Sequence, residues 1–106
     1  MSDDLQAAIA AIWDRSKPIM RERVVQVDDA AAALRDGPLD PAVREEAARA
    51  AHQLAGSLGS FGMPEGSDAA RALEQLLRPD RPPEPTADAV DPLVAELHRI
   101  LDPRLA

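Results

Sequence analysis

Proline lacks a backbone N–H and its ring blocks the preceding helical turn, so ten prolines in 106 residues constrain where helices can start and stop. Most of them flank a stretch of helical apolar periodicity instead of interrupting one. Between them no strand-like alternation occurs and no segment repeats. The chain is therefore predicted to be all-α: an antiparallel, up-down-up-down four-helix bundle with a short additional N-terminal helical segment. Its length suits one domain, residues 1–106, that buries roughly 65% of its unfolded surface around one modest core.

The first segment spans about Asp4 to Arg15 and places Leu5, Ile9, Ile12 and Trp13 on one side, as a lid for the bundle's end. Ser16-Lys17-Pro18 then reads as a cap with proline in the first turn. Met20, Val24, Val27, Ala31 and Leu34 repeat by four and three up to Gly37. Pro18 is equally compatible with a kink in one long helix. Asp40-Pro41 opens the next helix with a cap and a first-position proline, and Gly62 is its left-handed terminator. Met63-Pro64 restarts the chain at once, so the helix carrying Ala69, Leu73, Leu76 and Leu77 is an antiparallel neighbour ending before Pro79. Pro79 to Pro85 is a stiff surface connection. A last helix begins at Thr86 or at Asp91-Pro92, carries Val90, Leu93, Val94, Leu97, Ile100 and Leu101, and is closed by Asp102-Pro103.

Only Trp13 and Phe61 are aromatic, so the core is built from aliphatic side chains and many alanines, which let helices approach closely. With no cysteine, a disulfide framework and thiolate metal ligation are excluded. No run approaches the roughly 20 apolar residues of a membrane span, and Asp3 and Asp4 are unlike the basic start of a signal peptide. A cytoplasmic protein without membrane contact is expected. Its net charge of −7 repels phosphate backbones, which argues against nucleic acid as a partner.

The stretch from Ala47 to Met63 organises the rest. At about 100° per residue, Ala47, Ala51, Leu54, Leu58 and Phe61 form one buried stripe, and His52 lies about 140° from its centre, on the solvent side. Arg49 and Gly56 share that face, with Gly59 and Ser60 a turn further on. A helix-interior glycine costs about 1 kcal/mol relative to alanine, and on an exposed face no core packing asks for one. The pattern reserves room for something outside the chain.

The run His52-Gln53-Leu54-Ala55-Gly56-Ser57-Leu58-Gly59-Ser60-Phe61-Gly62 resembles the phosphoacceptor motif of histidine phosphotransfer (HPt) domains, and the helical layout agrees over nearly the whole chain. The resemblance implies that His52 accepts a phosphoryl group through Nε2, with the proton on Nδ1, and exchanges it with the aspartate of a response-regulator receiver domain or takes it from a sensor histidine kinase. The chain would then be a carrier, not an enzyme. Mg²⁺ and the catalytic groups would belong to the partner, no cofactor or metal would be bound by the chain itself, and a monomer is expected. The basic residue that many members carry three positions after the histidine is Ala55 here.

Around His52, Gly56 leaves space for a receiver's loops, while Gln53, Ser57 and Gly59 complete the partner surface. Arg49, one turn earlier, is the cation available to offset phosphoryl charge on that helix. His98 sits near a helix end, and its position suggests no role beyond favouring the dipole. The competing class is a helical docking or dimerisation module, a degenerate HPt domain that binds receivers without accepting phosphate. Ala55 favours that reading.

Overall fold

A computed structural model describes residues 3–81 and 83–106, and Pro82 of the proline-rich connection lies outside the described residues. Four helices follow in order: α1 (Asp3–Leu34), α2 (Pro41–Ser60), α3 (Pro64–Leu77) and α4 (Ala87–Leu105). α2 packs on α1 and α3, and α4 closes the ring against α3 and α1. Cross-helix contacts fix the directions: Arg23 meets Ser57, Ser67 meets Ala55, Arg99 meets Glu65 and His98 meets Asp28, so each neighbour runs antiparallel.

Of the two arrangements compatible with Pro18, the protein has the single long helix. Pro18 lies opposite the buried stripe of Trp13, Met20, Val24, Val27 and Ala31, so the hydrogen bond it omits, to the carbonyl of Asp14, is on the solvent side where water replaces it. The predicted N-terminal segment is therefore continuous with α1, and it is not a lid. Thirty-two residues at 1.5 Å each extend about 48 Å, which matches the molecule's 49 Å long axis. Its first turns project past the bundle, leaving Leu5, Ile9 and Ile12 exposed, and Trp13 is the first residue to be buried.

Asp40 caps α2 through a 2.8 Å bond from the N–H of Ala42 to its carboxylate. At the other end Gly62, with φ +75°, turns the chain, and the N–H of Met63 reaches back to the carbonyl of Leu58 at 2.9 Å. This tight reversal lays α3 directly on α2. A Cβ at Gly66 would stand 3.1 Å from Leu58 Cδ1 and 3.3 Å from Ile100 Cγ2, so the missing side chain is what lets α3 approach both neighbours. Leu54, Leu58, Leu73, Leu77, Leu97 and Leu101, with Val27 and Val90, form the fully buried centre.

Arg44 is buried inside this core's edge. Its guanidinium donates to the carbonyls of Leu77, Arg78 and Arg81 at 2.7–2.9 Å and pairs with Glu84 at 3.2 Å, which caps α3 and pins the connection to α4. α4 starts at the Thr86 cap, with Pro92 inside it, and it continues through Pro103 to Leu105 instead of closing there. Both prolines are exposed, so the bonds they omit lie where water can reach. The final carbonyls are taken up by α1: Trp13 Nε1 donates to Arg104 at 2.9 Å, Arg21 to Leu105, and Lys17 to Ala106. The Arg104 guanidinium also lies 5.4 Å over the Trp13 ring.

Candidate functional site

α2 has neighbours on two sides, and its buried face is correspondingly broad: Ala50 lies toward α1, and Arg44, Ala48 and Ala55 lie toward α3. His52 sits just beyond the α3 edge of that face, and its side chain is 71% exposed. Its Nδ1 lies 2.8 Å from Oε2 of Glu74, which reaches up from α3 with a side chain only 18% exposed. A carboxylate only accepts, so Nδ1 carries the proton, and in the neutral form of the ring the lone pair is on Nε2. Among the described residues Nε2 has no partner.

The surface next to the ring is bare. No atom outside the local helix lies within 4 Å of where a Gly56 Cβ would be, and an open hollow of about 540 Å³ lies there, lined by Arg23, His52, Gln53, Gly56, Ser57, Ser60 and Phe61. Gly56 therefore acts as its floor, with His52 toward α3 and Ser57 toward α1. Phe61 is only partly buried and packs edge-on against Trp13, with ring centroids 4.9 Å apart. The side chain of Ser60 turns back to the carbonyl of Gly56 at 3.1 Å.

Two of the predicted surface residues lie outside this hollow. Arg49 is drawn one turn back by Glu45, at 3.2 Å. Gly59 is turned toward α3, where a Cβ would meet Ser67 Oγ at 3.5 Å, an ordinary contact. Ala55 is 5% exposed, and its carbonyl accepts from Ser67 at 2.7 Å, so position 55 belongs to the α2–α3 interface.

Two residues near His52 come from other helices and went unnoticed in the sequence. Glu74 and His52 stand eleven residues either side of Met63, and Arg23 and Ser57 seventeen either side of Asp40. Equal spacing about a tight reversal is the signal that could have paired them. Arg23 reaches across from α1, and its Nη1 donates to Ser57 Oγ at 3.3 Å. His98 is also more engaged than its position suggested. Nε2 bonds to Asp28 at 2.8 Å and Nδ1 to Asp102 at 2.9 Å, so both nitrogens carry protons and the ring is an imidazolium clip between α1 and α4. These bonds, that to Asp28 first, raise its pKa above the ordinary 6.5. Among the described residues no cluster of three or more His, Cys, Asp or Glu side chains is placed to hold a metal ion, and no helix is long and apolar enough to cross a membrane.

The protein is thus an all-helical antiparallel bundle with an exposed histidine on α2 beside an open hollow. The family model described as Hpt domain matches residues 2–102, nearly the whole chain, and the protein belongs to that family. Hpt domains are phosphocarrier modules of two-component systems, and they interact with receiver domains and kinases. A search of curated proteins and a search of solved structures each found no match.

Proposed function

We propose that His52 is the phosphoacceptor, and that the protein relays a phosphoryl group to or from the aspartate of a response-regulator receiver domain, or takes it from a sensor histidine kinase. One observation carries the reading: Glu74 engages Nδ1 while Nε2 is free beside the bare backbone of Gly56.

In the transfer, the Nε2 lone pair forms a bond to phosphorus as the bond from phosphorus to the receiver's aspartyl oxygen breaks, and the electron pair leaves with the carboxylate. Nδ1 keeps its proton, so the phosphorylated ring gains positive charge. The Glu74 carboxylate stabilises that charge in the way a triad aspartate stabilises its imidazolium. The receiver supplies Mg²⁺ and in-line alignment, and this chain supplies an imidazole held in one tautomer and orientation. Gln53 and Ser57 line the space that the phosphoryl group enters. Arg49 and Gly59, outside the hollow, belong to the periphery that the partner covers. His52 and Glu74 come from one chain, so a monomer is sufficient, working in the cytoplasm where kinases draw on ATP.

Incubation with a phosphorylated receiver domain tests this. The expected result is acid-labile, base-stable label on the wild type and none on His52→Gln. Label of the same stability on His52→Gln would overturn the assignment. Receiver binding without label on the wild type would instead make the chain a docking module that does not accept phosphate.

A further inference from the structure

We propose that Arg23, on α1, is the cation that holds the transferring phosphoryl group over Gly56, with Ser57 as its resting partner. The proposal builds on His52 as phosphoacceptor and adds a residue from a different helix.

Arg23 is one of five arginines, with Arg15, Arg21, Arg81 and Arg104, that have no carboxylate in salt-bridge range among the described residues, and of the five it alone lines the hollow beside His52. Arg35, Arg44, Arg49, Arg71, Arg78 and Arg99 each have a carboxylate within hydrogen-bonding range. Arg23 has none among the described residues, and its one hydrogen bond is the 3.3 Å contact to a neutral hydroxyl. A guanidinium has five N–H donors in a fixed fork. Most of this fork therefore makes no hydrogen bond to the described residues, in a half-buried position that lines the same hollow as His52. In a chain with a net charge of −7, this cation lines the hollow beside His52 with a neutral hydroxyl, and no carboxylate among the described residues, as its partner.

The transfer has a use for such a group on this side of the phosphoryl, opposite the receiver's Mg²⁺. In the transition state charge spreads over three equatorial oxygens of phosphorus, and a neutral imidazole brings no compensation for it. The long bond to Ser57 is the weak kind, and exchange for an anionic phosphoryl oxygen replaces it with a charge-assisted, potentially bidentate one. Neither cation position on α2 can do this, because Ala55 is buried against α3 and Arg49 is turned to Glu45. The guanidinium forms and breaks no covalent bond. It stabilises the group while the P–O bond breaks and the P–Nε2 bond forms.

The experiment compares the wild type, Arg23→Gln, Arg23→Lys and, as a charge-matched control just past the end of α1, Arg35→Gln. Each is assayed for the transfer rate from a phosphorylated receiver, and the phosphorylated proteins are titrated by ³¹P NMR, with melting curves to check folding. Arg23→Gln is expected to slow transfer by about ten- to a hundredfold and to raise the pKa of the phosphoryl group, Arg23→Lys to recover part of both, and Arg35→Gln to match the wild type. A wild-type rate and titration curve for Arg23→Gln would overturn the proposal. So would an Arg23→Lys variant no better than Arg23→Gln with unchanged melting, because loss of the residue would then act through packing. Absence of label on the wild type would instead overturn the assignment of His52 itself.

Discussion

The Glu74 carboxylate crosses from α3 to accept a 2.8 Å hydrogen bond from Nδ1 of His52 on the outer face of α2. One end of the contact is nearly buried and the other is open to water, so an otherwise mobile surface ring is given a fixed direction.

Removing that support should change chemistry without changing the fold. Glu74→Ala is expected to slow phosphotransfer about tenfold, or about 1.4 kcal/mol of barrier, close to the lower end for a hydrogen bond to a charged group. Glu74→Gln, which still accepts through its amide oxygen but has no charge, should fall between. Imidazole ¹⁵N shifts should show His52 moving from an Nδ1–H form in the wild type to a mixture of tautomers in Glu74→Ala. An unchanged rate and tautomer would remove Glu74 from the site.

Gly56 separates stability from function. Space is open around it, so Gly56→Ala should stabilise the helix by about 0.5–1 kcal/mol, seen as a higher melting temperature. Gly56→Leu should fold as well as Gly56→Ala but slow transfer by about tenfold or more, because its side chain occupies the hollow that the phosphoryl group must enter. Full activity in the leucine variant would show that the bare surface has no role in transfer.

Arg44 should behave in the opposite way. Its guanidinium satisfies three carbonyls at the end of α3 and beyond, and a methionine fills the space without replacing those bonds. Arg44→Met is expected to lose about 2–4 kcal/mol in chemical denaturation while transferring phosphate normally at temperatures where it is folded. A loss below about 0.5 kcal/mol would mean that water replaces the arginine at no cost.

The His98 clip implies a pH-dependent contribution to stability. Its folded pKa lies above the unfolded value near 6.5, so the contribution is fully present below about pH 6.5 and is lost as pH rises through the folded pKa. The facing groups are Asp28 and Arg21 from α1 and Asp102 from α4, and the guanidinium of Arg21 is held by the carbonyl of Leu105. With about a third of the ring exposed, solvent screening keeps the effect small, on the order of 0.5 kcal/mol. The stability difference between wild type and His98→Gln should therefore be larger at pH 6 than at pH 8.5. A difference equal at both would sink this account.

The helices and their inward faces were legible because helical period and proline position are local properties. Leu54, Leu58, Leu73 and Leu97 are fully buried as their spacing requires, and Asp40 and Gly62 bound α2 as their chemistry requires. The prolines were harder to read. Pro18, Pro92 and Pro103 all sit inside helices, since a proline on the exposed side omits a bond that water can replace. The lid expected from Leu5, Ile9 and Ile12 failed for the same reason: a helix that does not break at Pro18 cannot fold its first turns back over the bundle.

His52, its outward direction and the bare Gly56 beside it were set by the order of residues along one helix, because side-chain direction repeats every 3.6 positions. Glu74 at its ring, Arg23 across the hollow, Ala55 withdrawn into an interface and Arg49 turned to Glu45 depended on how neighbouring helices pack and in what register. Turn geometry and core packing settle that register over the whole chain, and no stretch of sequence contains it alone.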